Sequence, residues 1–358
     1  MSREKIYYWK CDRPAAFHGT QEARDGAVEI EPQLLAELKH HFATAEVALT
    51  PGSSQGNHLT WLADVAGKSM FVRVENGPEG DDNLTMESAV MTAVREIGVR
   101  TPIVHGLDAS RSRVAFAWQA LERFMTPDLN HWFKRGELDQ SNVAFQIGES
   151  VAKWQKIQPA GYGPLDPGRW AHDGGLVGYH ASYRDYFWLR LDEHLSFLVT
   201  RQFLSRQESE AIRSEIEMHD SLLDLASGCL VHKDLALWNI LGSPHQIDAF
   251  VDFDDSVSGD AMDDLSLLGC FHDQTFLHRA IEGYQSVRNL PADHARRFWL
   301  HLLRNMIVKA VIRVGAGYFD RGDSFFLISS GGSGQSLRET TSEKIKTALR
   351  GLRRAEEL

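Results

Sequence analysis

The sequence predicts an α+β protein of two unequal lobes: an antiparallel five-stranded sheet with one key helix, then a larger, mainly helical part. Three observations point there. Strand-like runs separated by Gly- and Pro-bearing turns fill residues 46–121. Beyond residue 140, apolar positions recur three and four residues apart. At 358 residues the chain is also long for a single core, which suggests lobes of 1–121 and 122–358.

Residues 1–40 carry little pattern, except that Leu34, Leu35, Leu38 and Phe42 have helical spacing. Strands are expected at 46–50, 58–65 and 69–75. The turn Pro51–Asn57 between the first two could cover phosphates with backbone N–H groups, or be a plain hairpin loop. Phe71-Val72-Arg73-Val74 carries one cation that can point inward; Lys68, at the preceding turn, is expected to face solvent. Met86–Ile97 reads as a helix with Met86, Val90 and Val94 on one face and Glu87 early in it. Strands at 103–107 and 114–121 complete the sheet, and Glu122–Met125 crosses to the second lobe.

There, Val143, Ile147, Val151 and Trp154 mark a helix ending before Pro159. Gly161–Gly178 reads as a loop-rich insertion. Tyr183–Leu198 reads as one aromatic-rich helix, whose Tyr183, Tyr186, Phe187 and Trp188 either wall a pocket or, as their spacing favours, pack in the core. Ser205 and Glu208 open the next helix as a capping box. Further helices are expected near 276–288, 293–314 and 341–352, with Ser329–Gly334 a mobile surface loop.

With 38 basic and 49 acidic residues the net charge is −11, which argues against nucleic acid as the main partner. Three scattered cysteines, Cys11, Cys229 and Cys270, fit a reducing cytoplasm and give neither a disulfide framework nor a zinc site. Residues 1–13 lack the apolar stretch of a signal peptide, and no apolar run is long enough to span a bilayer.

The chemistry concentrates in Val231-His232-Lys233-Asp234-Leu235-Ala236-Leu237-Trp238-Asn239, followed by a second apolar run ending in Asp252. Phosphoryl transfer needs one carboxylate at the acceptor hydroxyl, with an amide oxygen and a second carboxylate holding magnesium against the nucleotide phosphates. Asp234, Asn239 and Asp252 supply those groups, and a hairpin from Ile240 to Val251 would bring them together. The plain alternative is a capping aspartate, a turn asparagine and a buried histidine.

The segment resembles the aminoglycoside phosphotransferase and choline kinase-like family, small-molecule relatives of protein kinases, through His232, Asp234, Leu235 and Asn239. The likeness continues through Val251–Asp255, Gly259-Asp260 and Asp263-Asp264-Leu265. One departure is Lys233, where the family usually has glycine. The resemblance implies a bilobal protein-kinase-like fold and transfer of the γ-phosphoryl group of ATP, with Mg2+, to a hydroxyl of a small molecule. It casts Asp234 as the base, His232 as the holder of the loop, and Asn239 and Asp252 as metal ligands. Arg73, paired with Glu87, would steady the phosphates. Ser53, Ser54 and Gln55 of the turn, and the backbone near Glu122 and Phe124, would meet the nucleotide. Asp254, Asp255, Asp260 and Asp264 would brace the loop or face the acceptor. A protein kinase would need a long segment between Asp252 and Asp263, for which there is no room. A non-catalytic nucleotide-binding relative would be expected to lack one of Asp234, Asn239 and Asp252.

Overall fold

Alternation along the third strand divides the first lobe into two layers. In the computed structural model, which describes residues 2–13, 27–52, 58–75, 80–320 and 334–357, Lys68–Glu75 is the centre of a five-stranded sheet. Successive side chains of a strand point to opposite faces. Met70, Val72 and Val74 therefore join Trp61, Ala63, Trp118 and Ala120 in one apolar layer, closed by Leu34 and Leu38 of a helix. Phe71 and Arg73 point the other way, toward a second helix.

In chain order, a one-turn helix α1 (Trp9–Asp12) precedes α2 (Ala27–His41). Strands β1 (Val47–Pro51), β2 (His58–Val65) and β3 (Lys68–Glu75) come next, then α3 (Asn83–Glu96), β4 (Val104–Asp108) and β5 (Trp118–Glu122). The sheet order is β1-β2-β3-β5-β4, antiparallel throughout. The last strand begins at Trp118 rather than Val114, because the Glu75 carboxylate takes both the Arg111 guanidinium (2.7 Å) and the Ala117 N–H (2.7 Å), which holds 109–117 in bends. Lys68 reaches His105 at 3.3 Å on the exposed surface.

The larger part begins with α4 (Leu129–Lys134) and α5 (Gln140–Trp154). Next come β6 (Tyr162–Leu165), α6 (Pro167–Asp173), β7 (Gly178–His180), α7 (Tyr183–Phe187), α8 (Leu191–Thr200) and α9 (Arg206–Met218). Residues 161–178 are thus not a bare loop: β6 and β7 pair with each other. The single helix expected over 183–198 is two, broken where Arg190 takes a left-handed conformation (φ 59°). Tyr183, Tyr186 and Phe187 are core, each at most 1% exposed. Ser205 and Glu208 do form a capping box.

Strands β8 (Cys229–Val231), β9 (Ile240–Gly242), β10 (Ile247–Phe250) and β11 (Val257–Gly259) then frame the segment that carries the chemistry. Helices α10 (Met262–Gly269), α11 (Gln274–Gln285), α12 (His294–Gly315) and α13 (Gly334–Arg354) complete the chain. Strand β11 lies between β6 and β8 in a four-stranded sheet, and β9–β10 is a hairpin. The turn residues Ser53, Ser54 and Gln55, and Ser329–Ser333 of the glycine-serine loop, lie outside the described residues; Gly334 opens α13.

α5 and α11 pack backbone to backbone through two glycines. A methyl group at Gly148 would stand 1.8 Å from the Ala280 carbonyl oxygen, and one at Gly283 would stand 2.0 Å from that of Phe145. Neither contact can open without moving a helix. Gly148→Ala is expected to destabilise the fold by about 1–3 kcal/mol or more through overpacking, read as a lowered midpoint of chemical denaturation with secondary structure retained.

Candidate active site

Strand β8 ends at Val231, and the chain leaves the sheet as an irregular loop whose polar groups must find partners because it is buried. His232 supplies two. Its Nε2 faces the Val251 carbonyl at 3.0 Å, a group that can only accept, so Nε2 carries the proton. Nδ1 is left to accept the Asp234 N–H at 3.4 Å. Asp264, at the start of α10, accepts the N–H groups of His232 (3.0 Å) and Lys233 (3.1 Å) and the Trp154 indole N–H (3.0 Å). Burial pushes the Asp264 carboxyl above its ordinary range.

Lys233 takes the left-handed conformation (φ 69°), a geometry that suits glycine. Its side chain compensates. The ammonium, on a side chain 1% exposed, bonds Asp263 at 2.6 Å, the Tyr7 hydroxyl at 3.2 Å and Asn305 at 3.3 Å.

The loop joins Asp234 and Asn239 directly and returns the chain at Asp252 one backbone bond away. Asn239 Nδ2 donates to the Asp234 carbonyl (2.8 Å) and to its Oδ2 (3.1 Å). The Asn239 carbonyl accepts the Val251 N–H (3.0 Å), which places Asp252 beside it. Asp252 is left-handed (φ 65°), tolerated in Asp, and its half-buried carboxylate accepts from Arg73 at 3.2 Å. Arg73 also pairs with Glu87 of α3 at 2.6 Å. Burial lifts the Glu87 carboxyl to about 7 against the pull of Arg73, with Asp252 and Asp254 adding to the rise. The sheet, α3 and the segment after β10 thus meet at Arg73.

The other carboxylates divide. Asp254 is buried against Arg3 (3.1 Å) and Asn83, and Arg3 leads the cations that hold it well below the ordinary range despite burial. The Asp255 carboxyl is raised to about 7 by burial, against Lys10, with Asp254 and Asp234 adding to the rise. Asp260 pairs with Arg297 of α12 at 2.7 Å and accepts the Met262 N–H at 2.9 Å, a bracing position. At the crossing, the Glu122 N–H is already taken by the Ile103 carbonyl (2.7 Å), and Phe124 lies under the Arg100 guanidinium (4.9 Å).

Pattern reading missed the N-terminal segment. Tyr8 donates its hydroxyl to Asp234 Oδ1 at 2.7 Å, Lys10 reaches Oδ2 at 2.5 Å, and Lys309 of α12 reaches Oδ1 at 3.2 Å. Burial would raise the Asp234 carboxyl, but Lys10 and then Lys309 hold it far below the ordinary range, so it is a carboxylate. The available signal was the run Tyr7-Tyr8-Trp9 within a polar terminus, since three adjacent aromatics need cover.

A sequence profile of the phosphotransferase enzyme family, APH, matches residues 48–299. The chain belongs to this family. No curated protein matches it. Among solved structures, the phosphotransferase is similar to the aminoglycoside phosphotransferase APH(4)-Ia: 15% identity, 90% of this chain and 99% of that one, TM-score 0.62. A candidate fructosamine-3-kinase from Thermobifida fusca YX-ER1 gives 16% identity, 90% and 98% coverage, and a TM-score of 0.60. A thermostable APH(4)-Ia mutant in ternary complex with AMP-PNP and hygromycin B gives 14%, 89%, 98% and 0.64. These likenesses establish the kinase-like α+β fold, and family membership makes the protein a small-molecule phosphotransferase.

Because the Lys233 ammonium is buried against Asp263, removing it leaves an uncompensated charge. In this phosphotransferase Lys233→Met is expected to cost about 3–5 kcal/mol, measured by denaturant titration. Loss smaller than about 1 kcal/mol would show that the left-handed backbone is held by other means.

Proposed function

We propose that the protein transfers the γ-phosphoryl group of ATP to a hydroxyl of a small molecule. What supports this reading is that Asn239 bonds Asp234, that Val251 returns to the Asn239 backbone just before Asp252, and that Asp252 meets the Arg73–Glu87 pair. Magnesium prefers hard oxygen ligands and keeps several waters, using one or two protein groups plus substrate phosphates. Asn239 fits, because its amide nitrogen is engaged by Asp234 and its oxygen is the atom left over. Asp252 fits through its carboxylate, about a third exposed. When bound, the ion would neutralise charge developing on the phosphates.

The chain's own residues do the rest. Asp234, already ionised, receives the acceptor's proton. His232 fixes the Asp234 backbone through one ring nitrogen and the Asp252 approach through the other. Asp264 holds the two amides that precede the base. Arg73, locked by Glu87, presents its guanidinium to the nucleotide phosphates. A division of labour between residues 1–121 and 122–358 follows, donor site against acceptor site. The three buried free thiols accord with a cytoplasmic setting, and no described helix is long and apolar enough to cross a membrane.

Asp234→Ala is expected to lower turnover by about 10²- to 10⁴-fold, the worth of a positioned base, with Mg-ATP affinity kept; ADP release over a panel of hydroxylated amines, sugars and hydroxy acids measures it. Turnover at the parent rate would refute the role. Asp252→Ala should instead weaken Mg-ATP binding in calorimetry at least tenfold, and equal affinity would remove Asp252 from the metal site.

A further inference from the structure

We propose that Lys10 is a catalytic residue of the transfer step: its ammonium, carried in by the N-terminal segment, meets the γ-phosphoryl group as it passes to the acceptor. The inference rests on the reading of Asp234, Asn239 and Asp252 given above, and adds to it a group from outside the family-matched residues 48–299.

The two oxygens of Asp234 have different company. Oδ1 takes the Tyr8 hydroxyl (2.7 Å) and the Lys309 ammonium (3.2 Å). Oδ2 takes the Asn239 amide (3.1 Å) and the Lys10 ammonium (2.5 Å). Lys10 therefore shares an oxygen with the candidate metal ligand Asn239. Asp252 and Asp255 are the next carboxylates that favour its charged form. An incoming phosphoryl group has to cross this junction, where Asp234, Asp252 and Asp255 are all acidic. An ammonium held on Asp234 there answers the charge that spreads over the equatorial oxygens in transfer.

Lys10 is also the group built to move. Its side chain is 30% exposed, against 10% for Lys309 and 2% for Asp234. Its backbone is not free to follow. Tyr7 stacks on Tyr186 (4.9 Å) beneath the Arg304 guanidinium (3.6 Å), and Tyr186 donates its hydroxyl to the Tyr7 carbonyl (2.9 Å). Asp12 accepts the Tyr7 and Tyr8 N–H groups (both 3.0 Å) and meets His194 at 2.7 Å. Arg3 ties the segment to Asp81 (2.7 Å) as well as to Asp254. A fixed backbone with a part-exposed ammonium gives a defined reach.

In the step, the acceptor oxygen bonds to the γ-phosphorus while the bond from that phosphorus to the β–γ bridging oxygen breaks, and the bridging electron pair leaves with ADP. The acceptor's proton goes to Asp234. Lys10 moves from Oδ2 to a γ-oxygen, keeps its own proton, and uncovers Oδ2 for the acceptor.

The test compares the full-length parent, Lys10→Met and Lys10→Arg in two measurements: affinity for Mg-ADP alone, and retention of Mg-ADP trapped with aluminium fluoride, which imitates the phosphoryl group in flight. Basal ADP release from Mg-ATP, with water as acceptor, is followed alongside. Lys10→Met should lose trapping and basal turnover by about 10²-fold or more, with Mg-ADP affinity within threefold of the parent, and Lys10→Arg should recover part of both. A lysine that only steadied Asp234 would leave trapping and Mg-ADP affinity changed by the same factor, which overturns the proposal. Unchanged or faster turnover in Lys10→Met also overturns it, and makes the segment a plug in the acceptor site. Should the parent neither bind Mg-ADP nor release ADP, the kinase reading itself fails, and this inference falls with it.

Discussion

A carboxylate deprived of water is unstable unless neighbouring charges and hydrogen bonds offset the lost hydration, an effective penalty of several kcal/mol. Asp234 is 2% exposed and yet ionised. Two ammoniums, a phenol and an amide surround it, from α12, the N-terminal segment and the loop itself. Much of the second lobe can be understood as scaffolding for that arrangement. α10 supplies Asp264 to hold the loop's amides and Asp263 to hold Lys233, and α12 supplies Asn305 and Lys309.

The same logic explains why a lysine can stand where the resembling family usually has glycine. The left-handed turn at Lys233 costs about 1–2 kcal/mol for a residue with a Cβ. The ammonium recovers this only because Asp263, Asn305 and Tyr7 are all within 3.3 Å. The lysine and its buried partners form one unit, joined through Tyr7 to the N-terminal segment.

Local signals in the sequence predict much of this. Period-two alternation in Met70–Val74 separates the two faces of the sheet, and the helical spacing of Met86, Val90 and Val94 places Glu87 on the helix that faces Arg73. The hairpin that joins Asn239 to Asp252 is legible from two short apolar runs and a turn. What escaped was either a break without a breaker or a contact without sequence proximity. Arg190 interrupts a continuous amphipathic pattern with no Gly or Pro to announce it. Lys10 and Asp234 are 224 positions apart, and no periodicity relates them. Asp260 has the same composition signal as its neighbours, and only its packing against Arg297 and His301 shows that it braces α12.

The Tyr8–Lys309 contact spans 301 positions of the chain. On the ribosome, where synthesis runs at roughly 5–20 residues per second, the opening segment would emerge long before α12 exists to receive it. Until then Tyr7 lacks the Arg304 guanidinium that covers it, and Asp234 lacks Lys309, one of its two cations. The first lobe can assemble early from neighbouring strands, but the reaction centre closes only near the end of translation. Nascent chains would thus carry the five-stranded sheet before they carry a fully partnered Asp234, an order of assembly written into where Lys309 falls.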